Sequence, residues 1–327
     1  MRVSYKNMKD EFKRVLLKLS FTEEKAELCA NIFARNSLDG VYSHGINRFP
    51  VFVNYVKEGF IQIHAEPKLV EHIGLIEKWD GQLGPGIYNA TKAMDRAILL
   101  AKENGIGCVV LKNTNHWMRG GTYGWQAADA GCIGICFSNT IANMPPWGGK
   151  EPRLGNNPLV IAVPRDNSHI VLDMAMSQFS YGKLQEHDLK KNKLPVPGGY
   201  DENGNLTNDP SSIIKSQRAL PIGFWKGSGL SFILDVLLTA LSNGQSTFKI
   251  TNSGKETGLS QFFLCLYQHS YANHLIEEII QYSKSSSLVK TDEPILYPGE
   301  HTLATRRRNE IEGIPVNTDI WSKILEM

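Results

Sequence analysis

The stretch CVVLKNTNHWMRGGTYGWQAADAGCIGICF, residues 108–137, carries the pattern that determines the fold class. Its first part, Cys108–Lys112, is a short apolar run typical of a buried strand, and its last part, Cys132–Phe137, alternates like a strand. Between them, Thr122–Ala130 predicts a short helix. A strand, a helix and a second strand in succession predict a mixed α/β protein.

The predicted elements continue in both directions along the chain. Upstream, the sequence predicts two amphipathic helices that end near residue 40, a short helix from residue 50, two short strands, and a helix over 88–102. Downstream, it predicts strands over 158–164, 169–174 and 262–267, and helices over 181–191, 229–241, 273–283 and 302–310. Turn-forming residues throughout 193–221 predict an ordered loop.

The composition predicts a protein without nucleic-acid or membrane partners. The 35 Lys and Arg against 33 Asp and Glu leave a formal charge of +2, and no basic cluster is large enough for a nucleic-acid footprint. The densest basic run, Arg306–Arg308, is predicted to lie on a solvated helix face. No apolar window is long enough to cross a membrane, and the first residues lack the apolar segment of a signal peptide.

The five cysteines are an odd number and lie in apolar contexts, which predicts a reduced, cytoplasmic enzyme or binding protein. Cys132 and Cys136 have a spacing that would allow a metal pair. They lie in a strand-like segment without a second Cys or His pair nearby, which favours inert packing. No metal site is predicted.

A histidine and an arginine lie close together in YSHGINR, residues 42–48. His44 and Arg48 suit either an active-site loop or the polar link between two amphipathic helices. A single His-Arg pair does not decide between these interpretations, so other parts of the chain must supply its partners.

A second histidine, His116, follows the strand Cys108–Lys112 directly, at the position where α/β proteins place ligand contacts. Its neighbours Asn115, Trp117 and Arg119 and a glycine pair form a dense polar and aromatic mixture, which favours a functional role. The alternative is a turn whose aromatic residues cover the end of the sheet.

Two further segments contain candidate ligand contacts. A Ser-Asn-Thr triplet, residues 138–140, ends a strand, and the proline-rich loop over 144–158 contains Arg153, Asn156 and Asn157. Arginine and amide groups suit a ligand that bears a carboxylate and hydroxyl groups. An ordinary lid over the sheet explains the same loop equally well.

Glycines open two predicted helices, at Gly223–Ser231 and at Pro298–Thr302, where free backbone N–H groups suit an anion and close packing is the alternative. Neither segment matches the GxGxxG fingerprint or a Walker A motif. The sequence also lacks the nucleophile elbow of a serine hydrolase and the HExxH motif of a zinc enzyme. Two histidines, several arginines and two potential anion sites therefore favour redox chemistry on an anionic metabolite with a bound cofactor.

Six motifs in order give the chain a family resemblance: SHGINR, NHWMRGGTYGW, MPPWGGKE, GNNPL, DMAMS and GFWKGSG. Together they resemble the malate/L-lactate dehydrogenase family, which lacks the Rossmann fingerprint. The resemblance runs over nearly the whole chain and implies a two-lobed, non-Rossmann NAD-binding α/β fold with a mixed sheet. It implies a helical lobe for substrate binding and dimerisation in residues 1–118 and 286–327, and an NAD-binding lobe in residues 119–285.

The resemblance also implies catalytic roles for four residues. His44 matches the family histidine that donates a proton to the substrate carbonyl oxygen, and Ser43 would orient its ring. Arg48 would hold the substrate carboxylate, and His116 would polarise the oxo group or bind a hydroxyl. An imidazole suits proton transfer because its ordinary pKa lies near neutral pH.

Cofactor contacts are implied at three segments of the chain. Their residues are His169, Ile170, Val171, Leu172, Asp173, Met174, Ala175, Trp225, Lys226, Gly299, Glu300 and His301. The carboxylate of Asp173 would accept hydrogen bonds from ribose hydroxyls and repel a 2′-phosphate, which predicts NADH rather than NADPH. The alternative is that Asp173 caps the helix that follows.

Within the family, MRGGTYGWQAA and PPWGGKE look most like a branch that reduces a 2-oxo sugar acid with NADH as a homodimer. The predicted reaction is hydride transfer to C2 of such an acid. The alternatives are a malate, lactate or ureidoglycolate dehydrogenase of the same family, and a non-catalytic sugar-acid binding protein. Residues 244–293 match the family weakly, and Glu300 and His301 stand in the reverse of the order usual in this branch.

Overall fold

A computed structural model describes residues 1–166 and 168–327 of the chain. Its α-helices are α1 (Tyr5–Lys18), α2 (Glu23–Leu38), α3 (Phe49–Lys57), α4 (Gly86–Asn104), α5 (Gly121–Asp129), α6 (Tyr181–Leu189), α7 (Pro210–Ser216), α8 (Trp225–Ser242), α9 (Thr247–Asn252), α10 (Asn273–Lys284), α11 (Glu300–Glu312) and α12 (Thr318–Leu325). Its strands are β1 (Arg2–Val3), β2 (Lys68–Ile73), β3 (Ile76–Asp80), β4 (Ile106–Thr114), β5 (Cys132–Ser138), β6 (Leu159–Val163), β7 (Ile170–Met174), β8 (Gly199–Tyr200), β9 (Leu206–Thr207), β10 (Leu259–Tyr267) and β11 (Ile314–Pro315). A 3-10 turn over Tyr42–His44 lies between α2 and α3.

Local sequence explains where several helices begin and end. At the start of α1, Ser4 Oγ accepts a hydrogen bond from the Asn7 N–H at 3.2 Å, which satisfies a donor that the helix itself leaves unpaired. α4 ends at Gly105 with a φ of +84°, a left-handed conformation that glycine adopts without steric cost. The sequence correctly predicts this glycine as the helix stop.

The main sheet of the described residues has seven strands in the order β2-β3-β4-β10-β5-β6-β7. β3 and β4 are parallel, and the other neighbouring strands are antiparallel. The predicted α/β class with a mixed sheet is thereby confirmed. In β10, Leu259 pairs with Thr114 and Gln261 pairs with Ser138, so β4 and β5 both end near the start of β10. This edge of the sheet therefore brings together the segments that follow β4 and β5 and the segment that precedes β10.

Helices cover both faces of this sheet, and the alternation along β10 shows the two sides. Phe263 packs in one buried cluster with residues of α4 and α5, whereas its neighbour Phe262 packs against Leu234 and Leu238 of α8. The first cluster includes Cys136, which is fully buried as the packing interpretation expects. Adjacent residues of one strand thus contribute to two separate apolar layers.

A further apolar core, separate from the two layers of the sheet, joins the two ends of the chain. Phe12 of α1 and Phe49 of α3 stack with their ring centroids 4.2 Å apart, and Phe33 of α2 meets Phe49 edge-on at 5.2 Å. Trp321 and Ile324 of α12 belong to the same cluster. The sequence-based prediction ends at the helix over 302–310, so α12 was missed.

The prediction of one ordered loop over 193–221 is wrong. This segment contains the small hairpin of β8 and β9 and the helix α7. Asp209 caps α7 because its Oδ2 accepts a hydrogen bond from the Ser212 N–H at 2.9 Å, and Pro210 occupies the first helical position. An Asp-Pro pair is a known helix-start signal, which the many turn-forming residues around it obscured.

The predicted boundary between residues 118 and 119 falls between strands of the same sheet. β2, β3 and β4 belong to the first predicted lobe, β5, β6, β7 and β10 belong to the second, and β4 pairs directly with β10. The division into two lobes remains a prediction. No helix of the described residues is long and apolar enough to span a membrane.

Candidate active site

A cavity of about 490 Å³ lies where β4, β5 and β7 approach the 3-10 turn and the start of α11. Its volume is within the range typical of small-molecule sites. The predicted site residues on its wall are Ser43, His44, His116, Val171, Leu172, Asp173, Ala175 and Gly299. The fold therefore brings most of the predicted catalytic residues and part of the predicted cofactor residues to one place.

The 3-10 turn holds His44 through contacts on both sides of the residue. Ser43 Oγ lies 3.1 Å from His44 Nδ1, and Asn36 Nδ2 donates a hydrogen bond to the His44 carbonyl at 3.0 Å. A Cβ on Gly45 would lie 2.2 Å from Ser37 Oγ, so only glycine allows the turn to approach α2 this closely. The position of the imidazole is consequently set by the backbone as well as by Ser43.

His116 follows β4 and faces His44 across the cavity wall. The two imidazole rings stack with their centroids 5.8 Å apart and their planes 14° apart. His116 Nδ1 accepts a hydrogen bond from the Met118 N–H at 2.9 Å, so the proton of the neutral ring belongs on Nε2. Both imidazoles therefore lie side by side on one wall of the cavity.

Burial lowers the pKa of both imidazoles to about 3. His116 and the positive charge of Arg48 also lower the pKa of His44, while the negative charge of Asp173 raises it. The Arg48 charge also lowers the pKa of His116. Both rings are therefore neutral at pH 7, and proton donation by an imidazolium requires a ligand that raises the pKa.

Asp173 belongs to a buried ion-pair network on the cavity wall. Arg119 donates hydrogen bonds to Asp173 Oδ2 at 3.3 Å and to Asp39 Oδ2 at 2.5 Å, and Arg306 donates to both Asp39 oxygens at 2.6 and 2.9 Å. The two arginines hold the pKa of Asp39 below its usual range against the opposing effect of burial. A Cβ on Gly121 would lie 2.5 Å from Asp173 Oδ2, so the start of α5 needs glycine to admit this carboxylate.

The structure corrects two sequence-based interpretations of residues in this network. Asp173 does not cap the helix that follows it, because Ser180 is the residue whose Oγ accepts a hydrogen bond from the Lys183 N–H at the start of α6. Arg306 is not on a solvated face, since its side chain is only 13% exposed and pairs with Asp39. Its neighbours Arg307 and Arg308 are exposed as predicted.

Arg48 lies beside the main cavity, in a small apolar recess that His116 also lines. Its guanidinium donates to Glu256 Oε2 at 3.4 Å, the outer limit of a hydrogen bond. Burial raises the pKa of Glu256, while the charge of Arg48 and a hydrogen bond from the Ile141 N–H oppose that shift. Arg48 is therefore paired only loosely.

The remaining predicted cofactor residues lie outside this cavity wall: His169, Ile170, Met174, Trp225, Lys226, Glu300 and His301. His169 Nε2 lies 3.0 Å from Asp129, and Glu300 pairs with Lys284 at 2.5 Å. Trp225 starts α8 with 64% of its surface exposed. The cavity is closed on one side instead by the Pro298-Gly299 segment, whose Pro298 carbonyl accepts a hydrogen bond from the Val171 N–H at 3.0 Å.

The site also contains residues that the sequence did not assign to it. Thr140 and Asn156 line the cavity, and Thr140 Oγ1 donates to Asn156 Oδ1 at 3.1 Å. Arg119 lines it as well. The sequence had marked all three as parts of polar segments after strands, which is the signal that would have found them. Glu256 carried no such signal, because it lies in the segment that matches the family weakly.

Comparison with known proteins shows the family to which the chain belongs. Residues 3–325 match the family described as malate/L-lactate dehydrogenase. Proteins named 2,3-diketo-L-gulonate reductase from Mannheimia succiniciproducens and Pasteurella multocida are 45% and 47% identical to the chain, each over 99% of the chain and 99% of the relative.

Solved structures support the same relationship. Sulfolactate dehydrogenase from Methanocaldococcus jannaschii matches 99% of this chain and 95% of its own with a TM-score of 0.89 and 30% identity. Malate dehydrogenase from Entamoeba histolytica matches 100% of this chain and 96% of its own with a TM-score of 0.93 and 26% identity. These matches confirm the predicted family, fold and oxidoreductase class. The chain belongs to the malate/L-lactate dehydrogenase family.

Proposed function

We propose that the protein reduces 2,3-diketo-L-gulonate to 3-keto-L-gulonate by NADH-dependent hydride transfer to C2, with His44 as the proton donor. The observation that carries this proposal is the stacking of His44 on His116 in one cavity wall, with Arg48 beside them. The names of the relatives at 45% and 47% identity support the choice of substrate.

Arg48 is the residue that binds the substrate carboxylate in this proposal. Its planar guanidinium matches a carboxylate with two parallel hydrogen bonds, and its contact with Glu256 is long enough to be exchanged. A carboxylate bound to Arg48 offsets the positive charge that lowers the pKa of both histidines. Substrate binding therefore raises the pKa of His44 toward the working pH.

The two histidines then have different tasks. In the imidazolium form both ring nitrogens of His44 carry a proton, so Nδ1–H donates to Ser43 Oγ and the proton on Nε2 is the one that the carbonyl oxygen receives, which leaves a neutral ring. His116 holds its own proton on Nε2 because Met118 occupies Nδ1, so it donates a hydrogen bond that polarises the oxo group. One ring transfers a proton and the other stabilises negative charge.

A nicotinamide cofactor is implied by the family, and the cavity wall fits one. β7 is an edge strand of the sheet, and its residues Val171 and Leu172 contribute apolar side chains to the cavity wall. A side chain on Gly299 would crowd the backbone, since its Cβ would lie 3.1 Å from the Val171 nitrogen. Val171, Leu172, Asp173, Ala175 and Gly299 would hold the cofactor, which supplies hydride to the carbonyl carbon when bound.

We expect a preference for NADH over NADPH of about tenfold, which corresponds to about 1.4 kcal/mol. The carboxylate of Asp173 opposes a 2′-phosphate, although its pairing with Arg119 offsets part of that repulsion. In Asp173→Ser the preference should fall, while Asp10→Ser, which removes an exposed carboxylate of α1, should leave it unchanged. Equal efficiency with both cofactors in the unmodified enzyme would exclude the ribose role of Asp173. A changed pH profile with an unchanged cofactor ratio would connect Asp173 with His44 instead.

We further propose a homodimer that forms through α8, which lies in the predicted NAD-binding lobe and not in the lobe that the resemblance assigns to dimerisation. Its residues Trp225, Phe232, Ile233, Val236 and Leu237 leave between 41% and 64% of their surfaces exposed. An exposed apolar patch of this kind marks a protein interface. A second copy of the chain would also bring another molecule's surface to Trp225, which the family resemblance assigns to cofactor binding. We expect a solution mass of twice 36.5 kDa, and a smaller mass for Phe232→Glu.

A panel of 2-oxo acids tests the reaction. Purified protein and NADH are mixed with 2,3-diketo-L-gulonate, pyruvate, oxaloacetate or oxalurate, and NADH absorbance is followed. We expect the highest kcat/KM with 2,3-diketo-L-gulonate. A higher value with one of the others would assign the chain to a lactate, malate or ureidoglycolate type of dehydrogenase. Binding of 2,3-diketo-L-gulonate without turnover of any compound would favour a binding protein.

A further inference from the structure

Glu256 is a buried carboxylate that the sequence did not assign to the site. It lies between α9 and β10, and its side chain is 14% exposed against 33% for Arg48. Its Oε2 lies 3.4 Å from the Arg48 guanidinium, and its Oε1 accepts a hydrogen bond from the Ile141 N–H at 3.4 Å. Lys255, the residue before Glu256, pairs with Glu58 and not with Glu256, and its side chain is 45% exposed. The Arg48 guanidinium and the Ile141 N–H favour the ionised form of Glu256, and they oppose the effect of burial, which raises its pKa.

The other charges around the cavity leave Arg48 as the cation that can bind an anion. Arg119 is held by Asp39 and Asp173, and the latter carboxylate also lines the cavity. Both histidines are neutral at pH 7 because burial lowers their pKa to about 3. Within residues 1–166 and 168–327, the Arg and Asp side chains that line the cavity and its recess are Arg119, Asp173 and Arg48, and Glu256 lies behind this lining, where it contacts Arg48.

We infer that Glu256 is a specificity-determining residue, which restricts the site to 2-oxo acids whose tail is uncharged. This inference rests on the proposed function, because it takes Arg48 as the carboxylate-binding residue. In an extended four-carbon 2-oxo diacid the two carboxylate carbons are roughly 4 Å apart. A diacid that places one carboxylate on Arg48 therefore holds the other within the range of Glu256, where partial burial weakens screening.

A hydroxyl-bearing tail has no such conflict with Glu256. An ionised carboxylate accepts hydrogen bonds from hydroxyl groups, so a sugar-acid tail is compatible with a negative wall. Pyruvate has no tail beyond a methyl group, which makes it the reference for the carboxylate contact that all 2-oxo acids share. The ratio of kcat/KM for oxaloacetate to kcat/KM for pyruvate therefore isolates the effect of a second charge.

The test compares this ratio in three forms of the full-length protein. Glu256→Gln keeps the size of the side chain and removes its charge, and we expect the ratio to rise at least about tenfold, which is about 1.4 kcal/mol. Glu256→Asp keeps the charge, and its ratio should remain within about twofold of the unmodified value. Circular dichroism and thermal unfolding check that each variant is folded.

Several results would overturn the inference. An unchanged ratio in folded Glu256→Gln would do so, and so would an equal rise in Glu256→Asp, which would point to altered packing. If Glu256→Gln does not fold, the unmodified enzyme still decides, because a preference for oxaloacetate over pyruvate contradicts the inference. Failure of the unmodified enzyme to reduce any 2-oxo acid would reject the proposed function as well, so the two failures are distinguishable.

Discussion

Two charged regions border the cavity, and they differ in how completely their charges are paired. In the first, Asp39 binds Arg119 and Arg306 through contacts of 2.5–2.9 Å, and its side chain is 2% exposed. In the second, Arg48 meets Glu256 in one contact of 3.4 Å. In the first region both arginines are held by carboxylates, whereas in the second Arg48 makes a single, long side-chain hydrogen bond within the described residues.

This difference separates a structural role from a binding role. A buried charge that loses its partner is strongly destabilising, so the network around Asp39 fixes the cavity wall in place. A partly exposed arginine with one long contact loses little when that contact is exchanged for a better one. The same residue types therefore stabilise the fold in one region and recognise an anion in the other.

His44→Asn is expected to have the largest effect of the changes considered, and the effects of changes in the two charged regions can be compared with it. Asparagine cannot supply the proton, so kcat should fall on the order of 10²–10⁴-fold. NADH binding, measured by fluorescence titration, should remain near normal. His72→Asn changes an exposed histidine on β2 and serves as the matched control. A variant that keeps nearly the full rate would remove His44 from the chemistry.

Asp39→Asn tests the fully paired region through stability. It leaves Arg119 and Arg306 buried without their shared carboxylate, so the free energy of unfolding should fall by about 3–5 kcal/mol. Glu256→Gln breaks the loose pair and should cost about 1 kcal/mol or less. Urea unfolding of both variants measures the difference. Equal losses would mean that the two regions do not differ in the way described.

Arg48→Lys tests the loosely paired region through kinetics and should have a smaller effect than His44→Asn or Asp39→Asn. Lysine keeps the positive charge but loses the planar, two-pronged geometry, so KM for the 2-oxo acid should rise by about tenfold with a smaller change in kcat. Arg308→Lys, at an exposed position of α11, is the control and should behave as the unmodified enzyme. A loss of folding with normal kinetics in the folded fraction would make Arg48 structural.

Much of the fold follows from local sequence patterns. The apolar run of β4, the alternation of β5 and the glycine stop of α4 depend on neighbouring residues, and the structure has them within a few residues of the predicted bounds. α7 and α12 were missed because each is short and its start signal, at Asp209 or Asn317, stands among turn-forming residues. Short elements carry too few periodic positions to outweigh such surroundings.

The residues of the site also fall into two groups, those that local sequence predicts and those that it does not. His44 and His116 are recognisable because each stands in a dense local motif, and the ends of neighbouring elements then bring them together. The pairing of Arg48 with Glu256 spans 208 positions, and that of Arg119 with Asp39 spans 80. Nothing in the local sequence of either partner indicates the other. The contact of Arg48 with Glu256 also requires that β10, which follows Glu256, is inserted between β4 and β5.

The central claim is that a carboxylate bound at Arg48 makes His44 a competent proton donor. The most direct test follows the His44 ring by NMR during a pH titration, with saturating NADH, in the presence and absence of oxamate. His44→Asn identifies the signal. The pKa of His44 is lowered to about 3, mainly by burial and in part by the charge of Arg48, so a monoanion bound at Arg48 should raise that pKa by about one pH unit or more. An unchanged or lower pKa with oxamate bound would contradict the account.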